Sequence, residues 1–200
     1  MKIALFLEPD RHIKRIIAYW KNQFKNQFKN AIYLNHPIHL TLFTLDVKST
    51  FIKDIMYNKV NFNYDKIKKF EIDILGSFCF YNDPITKLNT LHYKVNKNKN
   101  LNNFQISVLK DLKNYRISNK KNYKFGKESL NKNFQDFGYP FLGSNWLPHF
   151  TICSINKKDL DNELIKRFFN SKLSSKIFIS KYSFWLIDDE KHIKIKDYYL

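Results

Sequence analysis

The sequence predicts an α+β fold in which two similar lobes face each other. Three observations lead there. Strand-like and helix-like hydrophobic patterns alternate along the chain, the same run of elements occurs twice, and each copy opens on a strand that begins with histidine. The chain has 200 residues, 44% of them hydrophobic and 17% aromatic, which suffices for a sizeable core and argues against intrinsic disorder.

Lys2–Leu7 is a short apolar run suited to a buried strand, and Glu8, Pro9 and Asp10 stop it and start a helix. Ile13, Ile16, Ile17, Trp20, Phe24 and Phe28 recur at spacings of three or four, so residues 11–29 read as an amphipathic helix. Residues 38–45 read as a second strand. Residues 49–57 are a short helix capped by Ser49 or Thr50, and residues 70–81 a third strand. Asn82, Asp83 and Pro84 supply turn chemistry before a fourth strand over 87–95. Residues 101–115 form the next helix, with Phe104, Val108, Leu109 and Leu112 on one side.

Three of the four glycines and several aromatics are scattered without a period over 116–145, which predicts a long irregular segment. Strand character returns over 147–155 and a helix pattern over 157–169. Residues 176–187 and 192–195 form a terminal hairpin around Asp188, Asp189 and Glu190. The whole chain, 1–200, thus reads as one domain, with a first lobe over about 31–96 and a second over about 146–200. The N-terminal strand and helix and residues 101–145 contribute to the body. The seam between the lobes is the expected place for a site.

The formal charge is +17, from 35 Lys and Arg against 18 Asp and Glu, which favours a polyanionic partner. Much of that excess is Lys travelling with Asn and Ile, as in Lys97–Asn103 (KNKNLNN), and reads as compositional background. No stretch has the length or apolarity of a membrane span or a secretory signal. Cys79 and Cys153 form neither a disulfide framework nor a zinc-ligand spacing, which points to a reducing, cytoplasmic setting. A monomer is expected, since no heptad or exposed apolar face stands out.

The two histidine strands carry the functional signal. One reads Ile38-His39-Leu40-Thr41-Leu42 and the other Pro148-His149-Phe150-Thr151-Ile152. Composition predicts about 0.1 His-apolar-Thr/Ser-apolar tetrapeptides in a chain of this make-up, and two are present. On a strand, His39 and Thr41 share one face and Ile38, Leu40 and Leu42 the other, and the second motif follows suit. An imidazole and a hydroxyl about 7 Å apart along a strand suit one small anion, and two such pairs facing each other make a phosphate-sized pocket.

With these motifs the chain resembles the 2H phosphoesterase superfamily, named for two His-x-Thr/Ser motifs, here His39-Leu40-Thr41 and His149-Phe150-Thr151. The superfamily includes 2′-5′ RNA ligase-like proteins and cyclic nucleotide phosphodiesterases. The resemblance covers most of the chain. It implies a bilobal, pseudo-symmetric duplication, with two antiparallel sheets flanking a central cleft, helices outside, and each motif on an inner strand. It also implies a phosphodiesterase that needs no metal and no other cofactor and acts on RNA or a small nucleotide: a 2′,3′-cyclic phosphate, a 2′-5′ linkage or a cyclic nucleotide. Two histidines with ordinary pKa near 6.5 divide the base and acid roles, and Thr41 and Thr151 hold the non-bridging oxygens. The rival reading is an RNA- or nucleotide-binding protein that keeps the pocket without turnover.

Around the motifs, Tyr139 and Trp146 are candidates to stack on a nucleobase, with core packing as the competing role. Lys94 and His92 share a face of the fourth strand and are candidates to reach the cleft, a solvated face being the favoured alternative. Arg11 and Arg116 are basic with no supporting spacing. His36 lies before Pro37 in a loop, out of step with His39 for a metal pair, and His12 and His192 join no constellation. Cys153 lacks a base partner and reads as a small strand residue.

Overall fold

The computed structural model describes residues 1–57, 70–83, 86–117, 124–171, 173, 175–179, 181–188 and 191–199. The predicted turn residues Pro84, Asp189 and Glu190, and residues 118–123 of the long segment, lie outside them.

The chain opens with β1 (Lys2–Leu7), buried at five of its six positions, and α1 (Arg11–Gln27). Asp10 caps α1 by accepting a hydrogen bond from the Ile13 amide at 2.9 Å, and Ile13, Ile17, Trp20 and Phe24 form its buried stripe. Strand β2 spans Leu40–Asp46 and begins two residues later than predicted. Its partner β1 ends at Leu7, opposite Leu40, where the chain turns into α1, so Ile38 and His39 have no ladder to join. In α2 (Ser49–Met56) neither Ser49 nor Thr50 caps: Lys48 takes that position without a side-chain bond, and burial of Phe51 and Ile55 holds the helix.

Strands β3 (Phe70–Phe80) and β4 (Asn89–Val95) pair as a hairpin. Helix α3 (Lys99–Asp111) starts earlier than predicted because Asn98 accepts from the Leu101 amide at 2.8 Å. Within the segment expected to be irregular, Glu128–Phe137 forms α4, which buries no residue fully and ends at Gly138 with φ 74°, the left-handed conformation glycine favours. Strand β5 (His149–Ile155) leads through a short 3₁₀ turn to α5 (Glu163–Asn170), capped by Asn162. The predicted strand over 176–187 is two strands, β6 (Ser175–Ile179) and β7 (Lys181–Asp188), and β8 (Lys191–Tyr199) completes the hairpin.

Among the described residues the eight strands form one antiparallel sheet in the order β6-β3-β4-β5-β2-β1-β7-β8. This corrects the expectation of two sheets flanking a cleft. Leu40 of β2 pairs with Phe150 of β5, which joins two strand edges that would otherwise be open. The motif strands therefore lie side by side at the centre of the sheet. β2 lies with β1, β7 and β8, and β5 with β4, β3 and β6, so β6 and β7, neighbours in sequence, serve opposite halves. Helices α1 and α5 meet through Trp20 and Phe168, whose rings lie edge to face at 5.3 Å.

Candidate functional site

The motif strands are built alike in their irregularities as well as in sequence. In β2, Phe43 pairs with Leu5 and Thr41 with Phe6, so Leu42 is an extra, bulged residue. In β5, Cys153 pairs with Leu91 and Thr151 with His92, so Ile152 is bulged at the equivalent place. Each bulge follows directly on the motif threonine. The buried Gln105 reinforces the first by donating its Nε2–H to the Leu42 carbonyl at 2.6 Å. Leu40 and Phe150 are fully buried, whereas His39, Thr41, His149 and Thr151 are all half-buried, as alternation on a strand dictates.

Register brings the four together. With Leu40 opposite Phe150 on antiparallel strands, one step along the chain sets His39 opposite Thr151 and Thr41 opposite His149. The paired register itself is confined to Leu40 and Phe150, and continuing it by one residue directs each histidine toward the other motif's threonine. The Leu40–Phe150 pair marks a local two-fold axis through the site.

Both imidazoles are anchored in the same way. His39 Nδ1 lies 2.7 Å from the Pro37 carbonyl, and His149 Nδ1 lies 2.7 Å from the Leu147 carbonyl, each two residues upstream. A carbonyl oxygen only accepts, so Nδ1 donates in both, and in the neutral ring Nε2 carries the lone pair. Burial, the main cause, pushes the His39 pKa down to about 3. His192, Lys21 and His36 lower it further, and the bond to Pro37 opposes them. Burial also lowers His149, against the Leu147 bond and the negative charge of Asp83. Both shifts favour the neutral imidazole.

The residues that back the two histidines occupy equivalent positions and differ in kind. Phe6, opposite Thr41, stacks on His39 with ring centroids 3.6 Å apart and planes within 14°. His92, opposite Thr151, meets His149 edge to face at 5.0 Å and is itself stacked on Phe80 at 3.9 Å. His92 is 2% exposed, which corrects the reading of that position as a solvated face. Its Nδ1 donates to the Thr90 carbonyl at 3.0 Å, and burial pushes its pKa down to about 3.

His192 also departs from expectation. Its ring lies 4.4 Å from that of His36 and 6.0 Å from that of His39, so these three form a cluster beside Phe6. No group of three or more His, Cys, Asp or Glu among the described residues is disposed to hold a metal ion.

Of the other predicted residues, Lys94 lies directly across the β4–β5 ladder from His149. Trp146 is 3% exposed and sits in the hydrophobic core, which leaves it no free face for a base. Tyr139 packs against that core and edge to face with Phe141 at 5.7 Å, and burial raises its hydroxyl pKa. Both cysteines are free thiols, and Cys153 is buried. Phe6 and Phe80 escape the sequence reading, and His192 is set aside there, because only strand register brings them to the motifs.

The fold is one that the chain shares with solved structures of other proteins. The chain matches the crystal structure of Escherichia coli LigT complexed with NADP+ over 100% of its own length and 96% of LigT, with TM-score 0.52 and 9% identity. It matches TT0787 of Thermus thermophilus over 100% and 98%, with TM-score 0.59 and 10% identity. It also matches LigT complexed with 3′-AMP over 100% and 97%, with TM-score 0.53 and 9% identity. At such identity the likeness is one of fold. No family model and no curated protein sequence matches the chain.

Proposed function

We propose that the chain is a phosphodiesterase of the 2H type, acting without a metal on RNA-type phosphodiesters: a 2′,3′-cyclic phosphate, a 2′-5′ linkage or a cyclic nucleotide. The observation that carries this reading is the equivalent placement of His39 and His149, each anchored at Nδ1 and each facing the other motif's threonine. LigT, whose fold the chain shares, has been solved with 3′-AMP and with ATP, which supports a nucleotide as ligand.

In hydrolysis, Nε2 of one histidine takes a proton from water as its oxygen bonds to phosphorus. The other histidine, protonated, gives its proton to the departing ribose oxygen as the P–O bond breaks. The phosphate anion favours that imidazolium by lying beside it. Thr41 and Thr151 donate to the non-bridging oxygens, where charge builds in the transition state. With a ribose hydroxyl of a second end in place of water, the same two transfers form its P–O bond to a 2′,3′-cyclic phosphate as the ring P–O bond breaks, so hydrolysis and ligation use one site. Nothing in this scheme requires a second protein or a membrane, and free thiols at Cys79 and Cys153 suit the cytoplasm.

The test is incubation of the protein, in EDTA, with nucleoside 2′,3′-cyclic phosphates, 2′-5′ and 3′-5′ dinucleotides and cyclic dinucleotides, with products resolved by chromatography and mass. Conversion of at least one class is expected. Binding without product would replace the enzyme by a nucleotide-binding protein.

A further inference from the structure

The two halves of the site match at the motifs and diverge one strand further out. On the His39 side the cross-strand row runs Thr41, Phe6, Ser183, and Ser183 is fully buried, donating to Glu8 Oε1 at 2.9 Å. On the His149 side the equivalent row runs Thr151, His92, Phe78, and Phe78 is 41% exposed. One half thus ends in a closed polar network and the other in an open aromatic ring.

That open end is a cavity of about 110 Å³ lined by Phe78, Phe80, His92, Lys94, Leu147 and Pro148. The last two directly precede His149, and His92 lies edge to face with its ring, so the cavity borders that motif histidine. Leu147, 55% exposed, adds a second apolar surface. Lys94 Nζ stands 5.0 Å from the Phe78 ring centroid, over its face. Exposed apolar side chains rimmed by a cation, beside a motif histidine, mark a ligand surface. Phe78 lies two strand spacings, about 10 Å, from the Thr151 strand, which suits a nucleotide measured from phosphorus to the far edge of its base.

We propose that Phe78, Leu147 and Lys94 form a nucleobase subsite, so that the substrate lies in one polarity with its base on the His149 side. This rests on the phosphodiesterase reading and adds a substrate class: phosphodiesters bearing a base on the nucleoside that retains contact with His149. The base stacks on the Phe78 face that Lys94 now covers, and the displaced ammonium turns to the phosphate. Stacking tolerates any base, so the subsite selects nucleotides over base-free phosphodiesters and does not read sequence.

Two measurements test it. The first is the ratio of kcat/KM for adenosine 2′,3′-cyclic phosphate to that for the base-free glycerol 1,2-cyclic phosphate, in wild type, Phe78→Ala and Phe78→Tyr. The ratio is expected to fall about tenfold or more in Phe78→Ala and to recover in Phe78→Tyr. An unchanged ratio would overturn the subsite while leaving the phosphodiesterase standing. The second is calorimetric binding of adenosine 3′-monophosphate, which needs no turnover. About tenfold weaker binding by Phe78→Ala supports the subsite even if wild type converts neither cyclic phosphate, the result that would count against the enzyme. Equal binding by wild type and Phe78→Ala, or no binding by either, contradicts it.

Discussion

Leu40 and Phe150 face each other across the centre of the sheet, and this buried pair relates the two His-Thr motifs by a local two-fold axis. The proposed function rests on the histidine and threonine that lie one residue to either side. Each histidine is offset from its own threonine along the strand, and the register of the Leu40–Phe150 pair directs it toward the other motif's threonine.

Thr41→Val and Thr151→Val keep side-chain shape and remove only the hydroxyl. Each is expected to lower kcat roughly a hundredfold, the scale for losing one donor to a developing oxyanion, with thermal stability nearly unchanged because both positions are half-buried. Steady-state kinetics on the substrate found for the wild type checks this. A rise in KM with kcat intact would instead make the threonines ground-state binders.

His92 is treated by the fold as the counterpart of Phe6, a platform for the motif histidine. His92→Phe is therefore expected to retain most of kcat, while His92→Ala leaves a void behind His149 and costs about 3 kcal/mol of stability along with much of the turnover. If His92→Phe proves as inactive as a motif-histidine variant, His92 takes part in proton transfer and the platform account is wrong.

The motif pair, its face-sharing alternation and the order of most elements are legible in the sequence because they depend on local spacing. The equivalence of Phe6 and His92 is not legible: both depend on a bulge that shifts register by one residue, at Leu42 and at Ile152. Helix α4 is hidden for a different reason, having no fully buried stripe to impose a period. The 176–187 run reads as one strand because β6 and β7 have continuous strand patterning, although they pair with β3 and β1 respectively. Trp146 shows the limit of position along the chain: it stands three residues from His149 and faces the core.

Burial holds His36 near a pKa of about 4, and His39 and His92 near about 3. The unfolded chain titrates its histidines near 6.5. Between those values it binds more protons than the folded protein, so stability is full above pH 6.5 and declines as pH falls toward 3. Glu8 acts in the same direction at lower pH. Burial alone would raise its pKa, but bonds from Lys14, Lys194, Ser183 and Lys181 hold it well below the ordinary value of 4.5, so its contribution fades as pH drops below that value. Melting temperature is expected to fall by about 5 °C or more from pH 7.5 to pH 5, and His92→Phe is expected to reduce the fall. A flat profile would show these rings to be charged or solvated in the folded state.

Burial lowers the pKa of both motif histidines, and an anion bound between them raises their proton affinity. Binding of adenosine 3′-monophosphate is therefore expected to take up a proton and to tighten as pH falls from 8 to 6. Calorimetry in buffers of different ionisation enthalpy measures the uptake, and His39→Ala and His149→Ala should each reduce it. Binding with no proton uptake at any of these pH values contradicts neutral resting histidines.

The central claim is that His39 and His149 act as one unit, and turnover by His39→Ala, His149→Ala and the double variant, in EDTA, tests it most directly. Each single variant is expected to lose a factor of about 10³ or more in kcat while keeping the wild-type circular dichroism spectrum, and the double variant to be little worse than either. Substantial turnover in both single variants would contradict the account, whatever nucleotide the site binds.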